Sequence, residues 1–177
     1  MNQLAITDRG RKPHGFADYF SLVIATGFGA GLSPIAPGTF GSIVGLAAYL
    51  LVVLLHLPIG IHYGLLMVLS IWISYIGIWT STRTAQIYGV HDPGQVVVDE
   101  IAGQFITLAF LPIGAPVYLI ILGFILFRAF DIIKPYPIRD LEFLYSGLGI
   151  MADDILAGLY AGVLLFLINL AVTSAGF

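Results

Sequence analysis

The sequence contains no cysteine and little charge. Without cysteine, disulfides, thiolate metal sites and cysteine-phosphatase chemistry are excluded. Charged residues make up 10% of the chain, against about 25% in a typical soluble domain. The net charge is only -3 and the 7 basic residues form no dense cluster, so we expect no nucleic-acid partner.

A third absence is local, because no charged residue occurs between Phe20 and Thr82. Hydrophobic residues make up 59% of the chain and come in blocks rather than helical stripes. Since roughly 20 apolar residues cross a bilayer as a helix, Gly41–Leu57 and Ile59–Thr82 are predicted to span a membrane. The expected fold is therefore all-α, a polytopic membrane helical bundle.

The polar N-terminus differs in character from the rest. Residues 1–15 are predicted to be a cytoplasmic tail, because Arg9, Arg11 and Lys12 would hold them on that side by the positive-inside rule. Arg83 is taken to mark a return of the chain to the same side. Residues 16–177 are expected to form a single membrane-embedded domain.

Proline and glycine divide the remaining apolar sequence. Phe16–Leu32 carries three glycines and is interpreted as a short helix that lies in or partly enters the membrane. Segment 91–95 indicates a helix start, with Asp92 as the cap and Gln95 completing a capping box. The later helices are predicted to run to Leu111, over Val117–Asp131 and over Ala152–Thr173, the last with two acids in its first turn.

The segment 112–116, with two prolines and a glycine, decides the topology of its neighbours. If residues 101–127 were one straight span, Asp131 would lie roughly 30 Å from Asp99, across the hydrocarbon. If the segment turns the chain back, each arm has about 15 residues and measures near 23 Å, short for a crossing. We therefore predict a Pro/Gly-broken helical hairpin inside the bundle, with both acids at the cytoplasmic face.

Paired acids are the strongest chemical signal. Asp99-Glu100-Ile101-Ala102-Gly103 and Asp153-Asp154-Ile155-Leu156-Ala157-Gly158 each place two acids ahead of small and apolar residues. Charges in apolar surroundings are costly, and glycines let helices approach closely. We expect one Mg²⁺ site with hard oxygen ligands from Asp99, Glu100, Asp131, Asp153 and Asp154. Alternatively, the acids cap helices or pair with Arg83, Arg128, Lys134 and Arg139.

Two cations follow the acid at position 131. Lys134 and Arg139 lie in a proline-rich loop that would hold them ready for an anion such as phosphate. A second loop, residues 37–42, would add the Gly38 backbone and the Thr39 and Ser42 hydroxyls. The alternatives are positive-inside anchoring for the cations and an ordinary turn before a helix for the second loop.

Four motifs occur in order along the chain. They are Pro37-Gly38-Thr39-Phe40-Gly41-Ser42, Asp92-Pro93-Gly94 leading to Val98-Asp99-Glu100-Ile101-Ala102-Gly103-Gln104, Phe127-Arg128-Ala129-Phe130-Asp131-Ile132-Ile133-Lys134-Pro135, and Gly149-Ile150-Met151-Ala152-Asp153-Asp154. In this order they resemble the phosphatidylglycerophosphatase A family of bacterial membrane enzymes, and the resemblance covers about Gly27 to Gly162. Tyr136 stands where tryptophan is common in that family.

The resemblance implies Mg²⁺-dependent removal of the terminal phosphate from phosphatidylglycerophosphate, giving phosphatidylglycerol. It also implies an all-helical protein of the bacterial inner membrane, with a phospholipid as substrate; the oligomeric state stays open. The expected catalytic residues are Asp99, Asp131, Asp154 and Lys134, with Asp99 or Asp154 taking the proton from an attacking water. Direct attack by water is preferred, although a phospho-aspartyl intermediate is left open.

Two rival functions belong to other classes. Intramembrane carboxylates also mark the path of a cation or proton transporter. Transporters usually have discontinuous-helix repeats at the midplane, whereas these acids gather at predicted helix starts beside a basic loop. The other rival is a catalytically silent lipid-binding scaffold, which phosphate release from the lipid would rule out.

Overall fold

The computed structural model describes residues 10–174, which are all-helical with no strand among them. The first nine residues of the predicted tail therefore lie outside the described part. The helices are α1 Gly15–Ala25, α2 Pro37–Leu54, α3 Ile59–Tyr88, α4 Val98–Ala109, α5 Val117–Ile133, α6 Ile138–Leu141 and α7 Gly147–Ser174, with a 3₁₀ turn at Ala30–Leu32. The predicted fold class, an all-α chain, is confirmed.

Three of these helices are long and apolar enough to cross a membrane, namely α2, α3 and α7. The α3 helix continues beyond the predicted end at Thr82 and includes Arg83. Its 30 residues end at Tyr88, and the next residue, Gly89, has a φ of 70°, which is open to glycine and strained for most other residues. Polar residues alone therefore did not stop this helix, and a left-handed glycine did.

Two predicted boundaries on the N-terminal side are wrong. The predicted single helix Phe16–Leu32 ends at Ala25, because residues 27–29 all have positive φ, from 56° to 94°. The segment 37–42, predicted as a loop, forms the first turns of α2. Proline suits a first helical position, since it lacks the N–H that would be left unpaired there and its φ is already helical.

The two helices that carry the acid pairs also begin elsewhere than predicted. Asp92 caps no helix, because α4 begins six residues later, and the Val97 N–H donates to the Ala25 carbonyl instead. The α7 helix begins at Gly147, five residues early, where the Gly147 N–H donates to the Thr82 hydroxyl. Its acid pair therefore lies in the second turn rather than the first.

The predicted proline-rich loop over residues 134–139 is only partly irregular. The short helix α6 begins at Ile138 and includes Arg139. Ile138 is fully buried against Phe127, Ala157 and neighbouring side chains, so packing fixes this turn.

The α4 helix occupies the centre of the bundle. Nine of its 12 residues are buried, and it packs against α2, α3, α5 and α7. Phe105 and Leu108 lie in the main apolar cluster with Tyr49, Leu66 and Leu165, which come from three other helices. The acids at its first turn are consequently held by packing on several sides.

One buried ion group fastens the N-terminal segment to α3. Asp18 is fully buried and accepts hydrogen bonds from Arg11, from Arg83 Nε at 2.5 Å and from the His14 backbone N–H at 2.7 Å. Bonds from Arg11 and His14, with a further one from Arg83, hold the pKa of Asp18 well below its usual range. The ionised carboxylate therefore stabilises the folded chain.

We predict that Asp18→Asn lowers the Tm at pH 7, because an amide cannot neutralise the two guanidinium groups. Since folding lowers this pKa, the stabilisation is present above the ordinary aspartate value of about 3.9 and is lost as the pH falls through the lowered value. Thermal unfolding in detergent, with the exposed Asp140→Asn as control, measures the effect. Equal Tm values for Asp18→Asn and the unmodified chain would contradict it.

Candidate functional site

A polar cavity of about 440 Å³ lies where α4 begins, α5 ends and α7 passes its first turn. Most of the chain's acidic residues reach it. Seven carboxylates line it, those of Asp92, Asp99, Glu100, Asp131, Glu142, Asp153 and Asp154. Lys134 is the cation in this lining. Such an accumulation of negative charge calls for a bound cation or for close ion pairs.

Three of the carboxylates form the tightest group. Asp99, Glu100 and Asp154 each offer one oxygen, and these oxygens lie within 4.8 Å of one another. One buried oxygen of each, Oδ1, Oε2 and Oδ2 respectively, accepts no hydrogen bond from any residue between 10 and 174. Buried polar atoms are rarely left without a partner. The donor set therefore fits a hard divalent cation, and Mg²⁺ prefers such oxygens.

Two glycines bring these acids together. A Cβ on Gly158 would lie 2.5 Å from the Gly103 carbonyl oxygen, and one on Gly103 would lie 2.6 Å from the Asp154 carbonyl oxygen. The Thr107 hydroxyl donates to the Gly103 carbonyl at 2.9 Å and approaches the Gly158 carbonyl at 3.1 Å. Close contact between α4 and α7, which the glycines were predicted to allow, is present one turn below the acids.

Asp131 comes from the end of α5 and has a cationic partner. Arg128 Nη1 lies 2.5 Å from its Oδ2 and 4.0 Å from Glu100 Oε1. The same guanidinium reaches the Ser42 hydroxyl at 3.4 Å. A Cβ on Gly38 would lie 2.1 Å from Glu100 Oε1, so only glycine leaves room for this carboxylate. The start of α2 thus packs against Glu100 at Gly38 and contacts Arg128 through Ser42.

Lys134 connects α5, the segment after α6, and α7. Its ammonium donates to Asp153 Oδ2 at 2.6 Å and also to Glu142. Burial lowers the pKa of Lys134, but the hydrogen bonds to Asp153 and Glu142 more than offset it, so the net pKa is raised. The side chain is therefore a permanent positive charge in the cavity wall, where it can meet an anion.

The structure gathers only part of the predicted residue set. All five predicted metal ligands and Lys134 line the cavity. Within that group, Asp131 and Asp153 are already paired with cations and Glu100 lies 4.0 Å from Arg128 Nη1, whereas Asp99 and Asp154 have no cationic partner among residues 10–174. The predicted phosphate-binding residues Gly38, Thr39, Ser42 and Arg139 lie outside the lining, and Arg139 is exposed on α6.

Sequence reasoning missed three residues of this region. Arg128 was considered only as a structural partner of the acids, yet it stands three residues before Asp131 on one helix, a spacing that places them side by side. Asp92 was taken for a helix cap and instead lines the cavity. Nothing in the sequence distinguished Glu142, because its approach to Lys134 depends on the turn formed by α6.

Comparison with known proteins decides the family. The model of the phosphatidylglycerophosphatase A family matches residues 23–169. The chain belongs to this family. It is 42% identical over 147 residues to phosphatidylglycerophosphatase A of Escherichia coli, covering 82% of this chain and 81% of that protein. It is 43% identical over 148 residues to the Haemophilus influenzae protein of the same name, with coverages of 83% and 87%.

A third relative carries a different name. A Bacteroides thetaiotaomicron protein provisionally named phosphatidylinositol-3-phosphatase is 39% identical over 152 residues, which are 83% of this chain and 92% of that protein. No solved structure matches this chain. Membership of the family makes the chain an enzyme, a phosphatase, and bears out the resemblance found in its motifs.

We predict that Gly158→Ala destabilises the fold and weakens divalent-cation binding together. The added methyl group would meet backbone only 2.5 Å away, and such overpacking typically costs about 1–3 kcal/mol. The two helices must then separate, which moves Asp154 from Asp99. Thermal unfolding and Mn²⁺ binding by electron paramagnetic resonance measure the two effects.

Gly64→Ala is the matched control for this substitution. Gly64 is also in a helix, but a Cβ there would meet nothing within 4 Å. Alanine should therefore leave cation binding unchanged and raise the Tm slightly. If Gly158→Ala behaves like the control, the close helix contact does not hold the acid cluster.

Proposed function

We propose that the chain hydrolyses the terminal phosphate of phosphatidylglycerophosphate, giving phosphatidylglycerol and phosphate, with Mg²⁺ as cofactor. One observation carries the proposal: in a member of this phosphatase family, three carboxylates meet in a cavity that is also lined by the half-buried Lys134, and each has one buried oxygen that accepts no hydrogen bond from residues 10–174. The names of two relatives indicate the substrate.

Asp99, Glu100 and Asp154 are the residues that would hold Mg²⁺. When bound, the ion would offset charge that builds up on the phosphate and lower the pKa of a coordinated water. Asp131 and Asp153 would complete the site through water, since each already accepts a hydrogen bond from Arg128 or Lys134. Oxygen donors from carboxylates favour Mg²⁺ over softer metals.

The chain's own residues supply the remaining chemistry. Lys134 would bind the substrate phosphate by exchanging its ion pair with Glu142 for one with a phosphate oxygen. Glu142 is the more exposed of its two partners. Asp99 or Asp154 would accept the proton of the attacking water, because both line the cavity and each has a buried oxygen that accepts no hydrogen bond from the described residues. Arg128 would keep Asp131 in place and compensate charge at Glu100.

The predicted phosphate-binding group receives a modified assignment. Gly38 and Ser42 would act indirectly, by leaving room for Glu100 and contacting Arg128. Thr39 and Arg139 stay predictions, and their roles require a headgroup that extends beyond the cavity. Thr39 lies half-buried in the first turn of α2, so its hydroxyl is within a helix end that favours anions.

The orientation in a membrane follows from charge. The lysines and arginines between positions 10 and 174 are at 11, 12, 83, 128, 134 and 139. Lys134 lines the cavity, Arg128 pairs with Asp131, Arg83 follows Thr82, which contacts the start of α7, and the Arg11 N–H donates to the last turn of α3, so these charges gather at the cavity end of the bundle. By the positive-inside rule this end faces the cytoplasm, in the inner membrane of a bacterium. The α4 and α5 helices, about 18 and 26 Å long, would then form a Pro/Gly-broken hairpin that returns both acids to one face.

A transporter is not favoured by the same geometry. The acids collect at one end of the bundle around a lysine, rather than along a path between its two ends. Phosphate release in detergent micelles, where no gradient exists, separates a phosphatase from a transporter or a silent scaffold.

We predict that the purified chain releases phosphate from phosphatidylglycerophosphate only with Mg²⁺, and that EDTA abolishes release. Asp99→Asn and Asp154→Asn should each lower kcat about 100-fold or more, as expected for loss of a metal ligand or general base. The exposed Asp140→Asn is the matched control and should keep full activity. Full release by the Asp154→Asn chain would contradict the site, and no release by the unmodified chain would contradict the function.

The two candidate phosphate cations should differ. Lys134→Gln is expected to lower kcat/KM about 10²–10³-fold, the usual loss for one charge-stabilising donor, because its ammonium lies in the cavity wall. Arg139→Gln should have a smaller effect, since Arg139 is exposed outside it. Kinetics on phosphatidylglycerophosphate and on phosphatidylinositol 3-phosphate measure both; an unaffected Lys134→Gln chain would contradict the assignment.

A further inference from the structure

A second cavity lies beside the first and has the opposite chemistry. Its volume is about 330 Å³, within the range of small-molecule sites. All ten lining side chains are aliphatic or aromatic, and they come from α1 and the turn after it, α2, α3 and α4. We call it the apolar groove. Neither the family nor the proposed chemistry assigns it a role.

The first turn of α4 separates the groove from the polar cavity. Val98 and Ile101 line the groove, whereas Asp99 and Glu100 line the polar cavity. Residues three apart share one face of a helix, and the two between them point to the opposite side. One helical turn thus presents acids to one cavity and aliphatic groups to the other, so the cavities are about one helix diameter apart, roughly 10 Å.

The groove extends from the level of the polar cavity towards the middle of the bundle. Pro37, at the start of α2, lines the polar cavity, and Val44 and Ala48 on the same helix line the groove. At 1.5 Å per residue they lie about 10 and 16 Å deeper. Trp72 and Phe28 line the groove and are 56% and 76% exposed, so it opens on the outer surface of the bundle.

We propose that the apolar groove binds an acyl chain of the lipid whose phosphate enters the polar cavity. The inference rests on the proposed function. It assigns a binding site to an acyl chain of the substrate, whereas the proposed function places only the phosphate. A lipid phosphate is covalently tied to its acyl chains, so a chain must leave the polar cavity towards the apolar interior. The groove lies beside the same turn of α4, about one helix diameter from the polar cavity, and between α2 and α3, which are apolar enough to lie in a bilayer.

The chemistry of the lining excludes other classes of ligand. Among residues 10–174, no charged side chain or hydroxyl lines the groove, so a sugar, nucleotide or ion would lose its hydration without compensation. Burial of methylene groups is favourable at roughly 0.8 kcal/mol each. The groove should therefore recognise chain length and hydrophobicity, while the polar cavity recognises the phosphate.

Ala48→Phe tests the proposal by filling the groove, and Ala47→Phe is its matched control. Ala47 is the preceding residue of α2 and is exposed outside the groove. Two substrates are compared in detergent with Mg²⁺: phosphatidylglycerophosphate with two palmitoyl chains and its fully deacylated, water-soluble headgroup. The measured quantities are KM and kcat for phosphate release.

Ala48→Phe is expected to raise KM for the diacyl substrate about tenfold, the loss from roughly two methylene groups returning to solvent. Its kinetics on the deacylated headgroup should stay those of the unmodified chain, and Ala47→Phe should change neither. An unchanged KM for the diacyl substrate, or an equal rise in KM for both substrates, would contradict acyl-chain binding in the groove. If the unmodified chain releases phosphate from neither substrate, the proposed function itself fails.

A binding measurement keeps the test decisive should Ala48→Phe lose activity by misfolding. The chain has 2 tryptophans, so Trp79→Phe leaves Trp72 in the groove as the only tryptophan, and tryptophan can be excited selectively over tyrosine. Diacyl substrate with brominated acyl chains, at low mole fraction in micelles, should quench Trp72 saturably. Excess unbrominated substrate should reverse the quenching, and excess phosphatidylcholine should not. Equal reversal by both lipids would show ordinary lipid contact and overturn the proposal.

Discussion

The candidate site depends on holding mutually repelling carboxylates close together. Asp99, Glu100 and Asp154 lie within 4.8 Å of one another, and charges so close in a poorly solvated region repel strongly. The fold keeps them together through the α4–α7 contact, where Gly103 and Gly158 allow backbone to meet backbone. Burial of α4 on several sides prevents the acids from moving apart. A divalent cation between them would turn the least favourable part of the structure into a stabilising one.

The charged residues around these three carboxylates form ion pairs with one another. Asp131 and Asp153 are neutralised by Arg128 and Lys134, so the cations lie at the edge of the cluster rather than in its centre. This leaves the central oxygens free for a metal ion while the cavity keeps positive charge for a phosphate. The first turn of α4 also has two chemically different faces. Its acids line the polar cavity, and its aliphatic residues line the apolar groove.

Much of this could be predicted from the sequence. Blocks of apolar residues without charge indicated the helices, and paired acids ahead of glycines indicated two helices in close contact. The helix boundaries were harder to predict, because long-range contacts set them. The α4 helix begins next to Val97, whose N–H donates to the Ala25 carbonyl, and α7 begins at Gly147, whose N–H donates to the Thr82 hydroxyl. Glu142 and the roles of Gly38 and Ser42 depend on packing between distant segments, which no local pattern records.

The most direct test of the account is to locate a divalent cation in crystals of the full chain grown with Mn²⁺, which stands in for Mg²⁺ and scatters anomalously. An anomalous peak is expected at coordination distance from carboxylate oxygens of Asp99, Glu100 and Asp154, which is about 2.0–2.1 Å for Mg²⁺. A peak bound elsewhere, with these three carboxylates hydrogen-bonded to protein groups instead, would contradict it.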